Sequence, residues 1–214
     1  MRADTSVKIL DYGVGNIHSV YRAFKCYSQD VQVVDQIRDL DSVSHLVLPG
    51  VGAFGIVMKR INENGLNDDI NAYIQTGKPL LGICVGMQVL FDIGFENGIN
   101  QGLGVIQGEV KNLLDDFSHS QLKIPNIGWS LVNRSDKDKK SKLFNGTPDS
   151  FYAYFAHSYS ANLVSDDELS GYILNSTKKI TAAVEQENVY GVQFHPEKSG
   201  SIGLQIIKNF IENV

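Results

Sequence analysis

The stretch Leu80-Leu81-Gly82-Ile83-Cys84-Val85-Gly86-Met87-Gln88 places a cysteine between two glycines directly after an apolar run. The apolar run predicts a buried strand. A Gly-x-Cys-x-Gly turn lets such a strand reverse sharply into a helix, because glycine has no Cβ atom to collide there. The pattern therefore predicts an α/β fold in which Cys84 stands at a strand end, beside helical N–H groups that favour its thiolate.

Cys84 has two interpretations at this point. In one it is a nucleophile, and the N–H of Val85 points to where an oxyanion would form. In the other it is a small buried hydrophobic residue, and its flanking glycines serve packing only. Short motifs also occur by chance, so the choice depends on whether the chain supplies partners for a nucleophile.

The composition limits the class of protein. The chain has 214 residues, 43% of them hydrophobic, which suffices for one core, so we expect a single domain over residues 1–214. A net charge of -5 and a pI near 5.5 argue against a nucleic-acid-binding protein, which would carry a basic face. Neither a signal peptide nor a membrane-spanning run is recognisable after Met1, so we expect a cytoplasmic protein without membrane contact.

The two cysteines are not expected to form a disulfide in a reducing compartment. Cys26 lies in a helix-like segment, where we expect an inert, packed side chain.

Strand and helix patterns alternate in the first half of the chain. This rhythm predicts a mostly parallel central sheet flanked by helices. Gly13 and Gly15 alone resemble a dinucleotide-binding fingerprint, but its third glycine is missing. The predicted strands are 7–12, 31–34, 45–48 and the run before Cys84, and the helical segments are 17–24, 54–77 with a break at 64–65, and 85–91.

The second half of the chain has a different sequence pattern, which predicts short strands and turns over about residues 105–183. We expect an added antiparallel sheet region there, then a closing hairpin and a final amphipathic helix. The charged run 134–140 is expected to be a solvated loop. The predicted strands are 108–110, 122–125, 128–131 and 151–157, the hairpin is 181–185 with 189–194, and the helix includes Ile202 to Ile211.

His195 and Glu197 are the predicted partners of Cys84. A cysteine nucleophile needs a base, and the base needs a group that holds its tautomer. His195 follows a strand expected in the same sheet as Cys84, where parallel strand ends meet at one crevice. Residues two apart in an extended segment project to the same side, so Glu197 can accept from the His195 ring. The alternative interpretation of His-Pro-Glu is a surface turn without a catalytic role.

A second oxyanion donor is expected from the loop Pro49-Gly50-Val51-Gly52. Its glycines let the backbone approach a substrate closely, and the N–H of Val51 or Gly52 is the candidate donor. Glycines also permit a peptide flip, so the binding of a partner could assemble the oxyanion hole. The loop could equally be only a tight turn.

Three motifs together resemble the class I (triad) glutamine amidotransferases: residues 49–54, 82–88 and 191–199. Two further motifs narrow the resemblance to the glutaminase subunits of imidazole glycerol phosphate synthase: Asp11-Tyr12-Gly13-Val14-Gly15-Asn16 and Pro125-Asn126-Ile127-Gly128-Trp129. The resemblance spans nearly the whole chain.

The resemblance implies that Cys84 attacks the side-chain amide of L-glutamine, His195 relays protons and Glu197 orients His195. Gln88 and the segment 50–52 would hold the substrate, and no cofactor or metal is expected. The ammonia would pass to a (β/α)8 barrel cyclase subunit in a heterodimer, for imidazole glycerol phosphate formation in histidine biosynthesis. The positions expected at the mouth and the partner surface are Asn16, Trp129, Tyr154, His157 and Lys198, although core packing explains Trp129 and Tyr154 equally well.

Two positions depart from the expected pattern. Most histidine-pathway members are expected to have a histidine after the proline and an asparagine after the tryptophan, whereas this chain has Asn126 and Ser130. Two alternatives therefore stay open: an ammonia donor to a sugar amidotransferase in surface polysaccharide synthesis, and a stand-alone cysteine hydrolase of γ-glutamyl substrates. A degenerate, non-enzymatic subunit would be expected to lack a triad residue.

Overall fold

The computed structural model describes residues 5–37, 39–40, 42–117, 123–135 and 141–214. Five parallel strands form one half of a nine-stranded sheet, in the order β2-β1-β3-β4-β13. They are β1 Val7–Leu10, β2 Val31–Val34, β3 His45–Gly50, β4 Leu80–Cys84 and β13 Val189–Val192.

Antiparallel strands continue the same sheet beyond β13, in the order β12-β11-β8-β9. A four-stranded sheet of order β10-β7-β5-β6 is separate. The predicted α/β class is confirmed, but the antiparallel strands extend the central sheet and make it mixed. The strands added to the central sheet are β8 Asn126–Arg134, β9 Ser150–His157, β11 Leu169–Asn175 and β12 Lys178–Gln186. The separate sheet contains β5 Phe91–Gly94, β6 Asn100–Gln101, β7 Ile106–Asn112 and β10 Tyr159–Leu163, and in it β5 pairs with β7 in parallel.

Within the described residues six α-helices accompany the sheets: α1 Ile17–Lys25, α2 Phe54–Glu63, α3 Leu66–Gln75, α4 Val85–Gln88, α5 Leu113–Phe117 and α6 Gly200–Glu212. The predicted break at 64–65 is confirmed, with Gly65 in a left-handed conformation at φ 68°. The predicted helix over 85–91 is wrong, because Phe91 begins β5 and pairs with β7. α4 is a single turn, and so short a helix supplies little of the dipole expected beside Cys84.

The buried apolar side chains form one connected core between the sheets and helices. β3 and β4 are buried along their whole length, as expected of central parallel strands covered on both faces. We propose on this ground that residues 1–214 form a single domain. Among the described residues, no helix is long and apolar enough to span a membrane.

Three smaller predictions need correction. The predicted strand 122–125 begins instead at Asn126, since Pro125 has no N–H for a ladder; residue 122 lies outside the described residues. Of the charged run, Arg134 ends β8 and Ser135 is buried, while residues 136–140 lie outside the described part of the chain. Cys26 is an exposed free thiol rather than a packed one, because it falls at the solvent-facing end of α1.

Candidate active site

Cys84 ends β4 in a strained backbone conformation, with φ 55° and ψ −114°. Non-glycine residues adopt positive φ rarely, and only where the surrounding structure enforces it. The neighbouring backbone is packed too tightly for side chains: a Cβ atom on Gly86 would lie 1.8 Å from the carbonyl oxygen of Leu48. A Cβ atom on Gly82 would lie 2.6 Å from the Gly86 oxygen. The two glycines thus permit the turn that holds Cys84 in this conformation.

The glycine loop after β3 lies against this turn. A Cβ atom on Gly50 would lie 2.5 Å from the backbone nitrogen of Gly86, so Gly50 acts by letting the two backbones touch. Gly52 has φ 91° with open space where a Cβ atom would stand. Val51, Gly52 and Val85 line the same cavity as Cys84. The residues that carry the predicted oxyanion donors therefore border the same cavity as the Cys84 side chain.

His195 and Glu197 form a buried pair next to Cys84. The Nδ1 atom of His195 lies 2.9 Å from Oε1 of Glu197, and the side chains are 5% and 1% exposed. They follow β13, which pairs in parallel with β4 so that Val192 lies opposite Ile83. The sheet register thereby places the predicted base beside the predicted nucleophile.

Two buried histidines in the site have opposite protonation tendencies. Burial lowers the pKa of His195, but hydrogen bonds with Cys84 and Glu197 outweigh this effect and raise the pKa to about 9. Burial lowers the pKa of His157 to about 4, although a hydrogen bond to the Tyr159 carbonyl opposes that shift. The raised pKa makes His195, next to the Cys84 sulfur, the candidate proton carrier of the site.

A cavity of about 460 Å³ opens in front of Cys84. Its size suits a small molecule with a few polar groups. Glu96 is a wall residue that the sequence analysis missed: its Oε2 atom accepts a 2.8 Å hydrogen bond from the N–H of Phe54 at the start of α2. The walls consist of Val51, Gly52, Ala53, Cys84, Val85, Gln88, Glu96, Pro125, Ile127, Ala156, His157, Ser158, Tyr159, His195 and Lys198.

Two buried glutamine side chains adjoin the nucleophile. Gln88, predicted to hold a substrate, donates from Nε2 to the Tyr159 carbonyl at 3.0 Å and to Oε1 of Gln193 at 2.9 Å. Gln193 was not predicted, and its Nε2 atom lies 3.7 Å from the sulfur of Cys84. The period-two pattern that pointed from His195 to Glu197 would have found Gln193 as well.

The predicted partner-surface residues separate into two groups. Trp129 is 55% exposed, its ring lies 6.2 Å from that of Tyr154, and Lys198 Nζ lies 5.7 Å from the centre of the Tyr154 ring. Asn16 is exposed beside the glycine loop. These four side chains are accessible to a partner.

His157 does not fit the predicted surface role, because it is only 6% exposed. Its Nδ1 atom lies 2.8 Å from the Tyr159 carbonyl and its Nε2 atom 3.1 Å from Nδ2 of Asn126. The Tyr159 carbonyl can only accept a hydrogen bond, so the proton of the neutral His157 ring must lie on Nδ1. The Nε2 atom is then the acceptor for the Asn126 amide. His157 is a neutral structural element of the cavity wall.

Comparison with known proteins agrees with the family resemblance of the sequence motifs. The chain matches the model of the family "Glutamine amidotransferase class-I" over residues 8–214. It is 39% identical over 206 residues to imidazole glycerol phosphate synthase subunit HisH of Chlorobaculum tepidum, covering 96% of this chain and 99% of that protein. It is 41% identical over 211 residues to subunit HisH 1 of Legionella pneumophila, covering 97% and 99%.

Solved structures share the fold at low sequence identity. PurLQS from Thermotoga maritima matches with a TM-score of 0.73 at 18% identity, over 98% of each chain. A crystal structure titled as a glutamine amidotransferase matches with a TM-score of 0.72 at 18% identity, over 96% of this chain and 97% of the other. These structures support the overall architecture.

Proposed function

Because the chain belongs to the class I glutamine amidotransferase family, we propose that it is the glutaminase subunit of an imidazole glycerol phosphate synthase. The observation that carries the proposal is the buried Cys84, His195 and Glu197 arrangement at a cavity. Full-length relatives named as HisH subunits support the specific assignment.

The geometry suits amide hydrolysis in two stages. The Cys84 thiolate attacks the side-chain carbonyl carbon of L-glutamine, and the His195 imidazolium gives its proton to the departing nitrogen. The C–N bond breaks, ammonia leaves, and a γ-glutamyl thioester remains. Water then attacks the thioester while His195 removes a water proton, and glutamate is released with regeneration of the thiolate.

The wall around Cys84 supplies the groups that this reaction needs. The N–H of Val85 and that of Val51 or Gly52 would bind the oxyanion of the tetrahedral intermediate. Glu197 would orient His195 and stabilise the imidazolium through Nδ1.

Two residues of the cavity wall could bind the substrate glutamine away from its reacting amide. Glu96 is the carboxylate in the cavity wall, where an α-ammonium group of the substrate would find an opposite charge. Both hydrogens of the Gln88 amide are engaged by Tyr159 and Gln193, so a contact between Gln88 and the substrate would use Oε1 as an acceptor.

The surface beside the cavity suits a partner subunit. Ile127, Trp129 and Leu131 alternate along one face of β8, and Tyr152 adds to it from β9; all four are exposed. We call this set the β8–β9 apolar face. Ile127 also lines the cavity, so the two adjoin. A contiguous exposed apolar patch marks a protein interface.

The partner in this proposal is a (β/α)8 barrel cyclase subunit, which docks on the β8–β9 apolar face and receives the ammonia. The heterodimer would act in the cytoplasm, with neither a cofactor nor a metal ion in the glutaminase subunit.

The second candidate acceptor, a sugar amidotransferase, rests on the two departures from the expected sequence. In the structure these positions contact each other: the Ser130 hydroxyl donates to Oδ1 of Asn126 at 3.3 Å. Because Asn126 also holds His157, the departures alter one polar cluster beside the apolar face and leave Cys84, His195 and Glu197 untouched.

The proposal is tested by reconstituting the complex with the cyclase encoded in the same genome. We expect Cys84→Ala to abolish glutamine-dependent formation of imidazole glycerol phosphate and to preserve complex formation and ammonia-dependent formation. Cys26→Ala is the matched control and should keep both activities. Glutamine turnover by the Cys84→Ala complex would refute the mechanism, and failure to activate or feed the cyclase would refute the acceptor.

A further inference from the structure

Gln193 lies behind the nucleophile and completely out of solvent, with 0% exposure. It precedes His195 by two residues, and its Nε2 atom lies 3.7 Å from Sγ of Cys84. Donors to sulfur lie farther away than donors to oxygen because sulfur is larger. The Cys84 sulfur therefore has a neutral N–H neighbour in addition to the His195 ring.

The amide orientation of Gln193 follows from its neighbours. The carbonyl of Tyr159 can only accept, so the atom of Gln88 that lies 3.0 Å from it is the NH2 nitrogen. That same nitrogen lies 2.9 Å from the Gln193 amide, which must present its oxygen there. The NH2 group of Gln193 is therefore turned towards Cys84. A flipped amide would place two donors against each other at Gln88.

A hydrogen-bond donor next to the Cys84 sulfur compensates for two features of the site that disfavour a thiolate. The Cys84 side chain is 2% exposed, so water does not solvate its negative charge, and desolvation opposes the thiolate. The one-turn helix α4 supplies little dipole. The His195 imidazolium and hydrogen bonds to the charged form are then the means of stabilising it.

We propose that Gln193 is a further catalytic residue, whose amide N–H holds the Cys84 thiolate in the resting enzyme and through each turnover. The role is distinct from that of His195, because an amide cannot take up or release the proton. The inference deepens the proposed function and rests on it only in that Cys84 is the nucleophile.

The same arrangement connects the nucleophile with the substrate pocket. Gln88 donates to Gln193, and Gln193 donates to Cys84, so the two amides point in one direction. Hydrogen bonds in such a chain polarise one another. A substrate group that donates to Oε1 of Gln88 would strengthen the donation from the Gln88 NH2 group to Gln193. Loss of Gln193 should therefore affect reactivity of the sulfur more than affinity for glutamine.

The test measures the reactivity of the Cys84 thiol without glutamine or a partner. Inactivation by iodoacetamide is followed against pH in a Cys26→Ser background, which removes the exposed second thiol. Gln193→Met keeps the side-chain shape and lacks the donor. We expect inactivation at pH 6 to slow about tenfold, the effect of one hydrogen bond to a charge. Gln205→Met, on α6, is the matched control and should match the parent.

A second variant guards against an unspecific packing effect. Gln193→Glu replaces the donor with a group that repels the thiolate when ionised, so inactivation at pH 7 should decrease in the order parent, Met variant, Glu variant. In the complex, Gln193→Met should lower kcat about tenfold and leave KM within about twofold. Inactivation profiles of both variants that superimpose on the parent profile would overturn the inference, even where kcat falls. A parent enzyme that hydrolyses no glutamine would overturn the proposed function and leave the thiol measurement interpretable.

Discussion

The backbone N–H of His195 donates a hydrogen bond to the carbonyl oxygen of Tyr154 at 2.8 Å. Ser199 reinforces this contact, since its hydroxyl donates to the His195 carbonyl at 2.7 Å and accepts from the Tyr154 N–H at 2.9 Å. β9, the edge strand that contributes Tyr152 to the β8–β9 apolar face, is thus hydrogen-bonded to the turn that begins at His195. A partner that displaces Tyr154 would act on His195 directly through this hydrogen bond and also through Ser199.

Ser199→Ala removes both of these side-chain hydrogen bonds: the Tyr154 N–H loses this acceptor, whereas the His195 carbonyl keeps the N–H of Lys198. We expect the free energy of unfolding to fall by about 2 kcal/mol, from two lost hydrogen bonds and one donor without this acceptor. We also expect kcat for glutamine to fall, because His195 loses its support. Urea unfolding and steady-state kinetics measure the two effects. Ser201→Ala, on the exposed side of α6, should change neither; an equal loss there would contradict the assignment.

Glu197→Gln should move the pH dependence of glutamine hydrolysis. The His195 pKa lies at about 9 in the parent, raised by hydrogen bonds with Cys84 and Glu197. The imidazolium is needed to protonate the leaving nitrogen, so activity is lost as the pH rises through this pKa. Removing the carboxylate charge should lower the pKa by about one to two and shift the basic limb of kcat/KM to lower pH.

A titration of the His195 ring by NMR checks the origin of that shift. The midpoint should fall in Glu197→Gln and, separately, in Cys84→Ala, since each variant removes one of the two causes. A Glu197→Gln ring that titrates like the parent would show that the carboxylate does not act on His195.

Gly86→Ala should destabilise the protein severely. The new Cβ atom would lie 1.8 Å from the Leu48 carbonyl oxygen, and this clash can be relieved only by moving the buried helix α4 away from β3. We expect a loss above about 3 kcal/mol, or no soluble protein. Gly65→Ala is the comparison, because its φ is also positive but no atom lies within 4 Å of the new Cβ. It should cost about 1 kcal/mol, and equal costs at both sites would refute the steric explanation.

Trp129→Ala should weaken the complex with the cyclase about 30-fold, because large exposed aromatic residues often dominate the energy of an interface. Titration calorimetry measures the affinity, and the urea midpoint of the free chain should stay the same, as Trp129 is mostly exposed. Val33→Ala, on the opposite edge strand β2, is the matched control and should leave the affinity unchanged. An unaffected complex would move the interface away from the β8–β9 apolar face.

Local patterns explain what could be predicted from the sequence. The apolar run before Cys84 and the glycine spacing around it are properties of a few neighbouring residues, and the structure contains the corresponding strand and turn. The closing hairpin and the final helix were predictable for the same reason. The pairing of His195 with Glu197 was predicted correctly, but from an extended segment, whereas residues 196–198 form a 3-10 turn that starts at His195 and brings the carboxylate to the ring.

Features that depend on distant pairing could not be predicted in this way. The helix after Cys84 ends early because Phe91 pairs with Ile106, and no local pattern indicates that partner. Glu96 reaches the cavity because its hairpin packs on the start of α2, where it binds the Phe54 N–H. The burial of His157 depends on Asn126 from another strand, and its type alone could not distinguish a surface position from a wall position.

The partners of the Cys84 sulfur also determine when its reactivity can arise during folding. Gln193 follows Cys84 by 109 positions, and it reaches the sulfur only when β13 has inserted between β4 and β12. Contacts of such separation form slowly and late. If Gln193 activates Cys84 as proposed, this activation is absent from a nascent or partly unfolded chain and arises only in the completed sheet. Trapping with a thiol reagent during refolding would report the last step of sheet assembly.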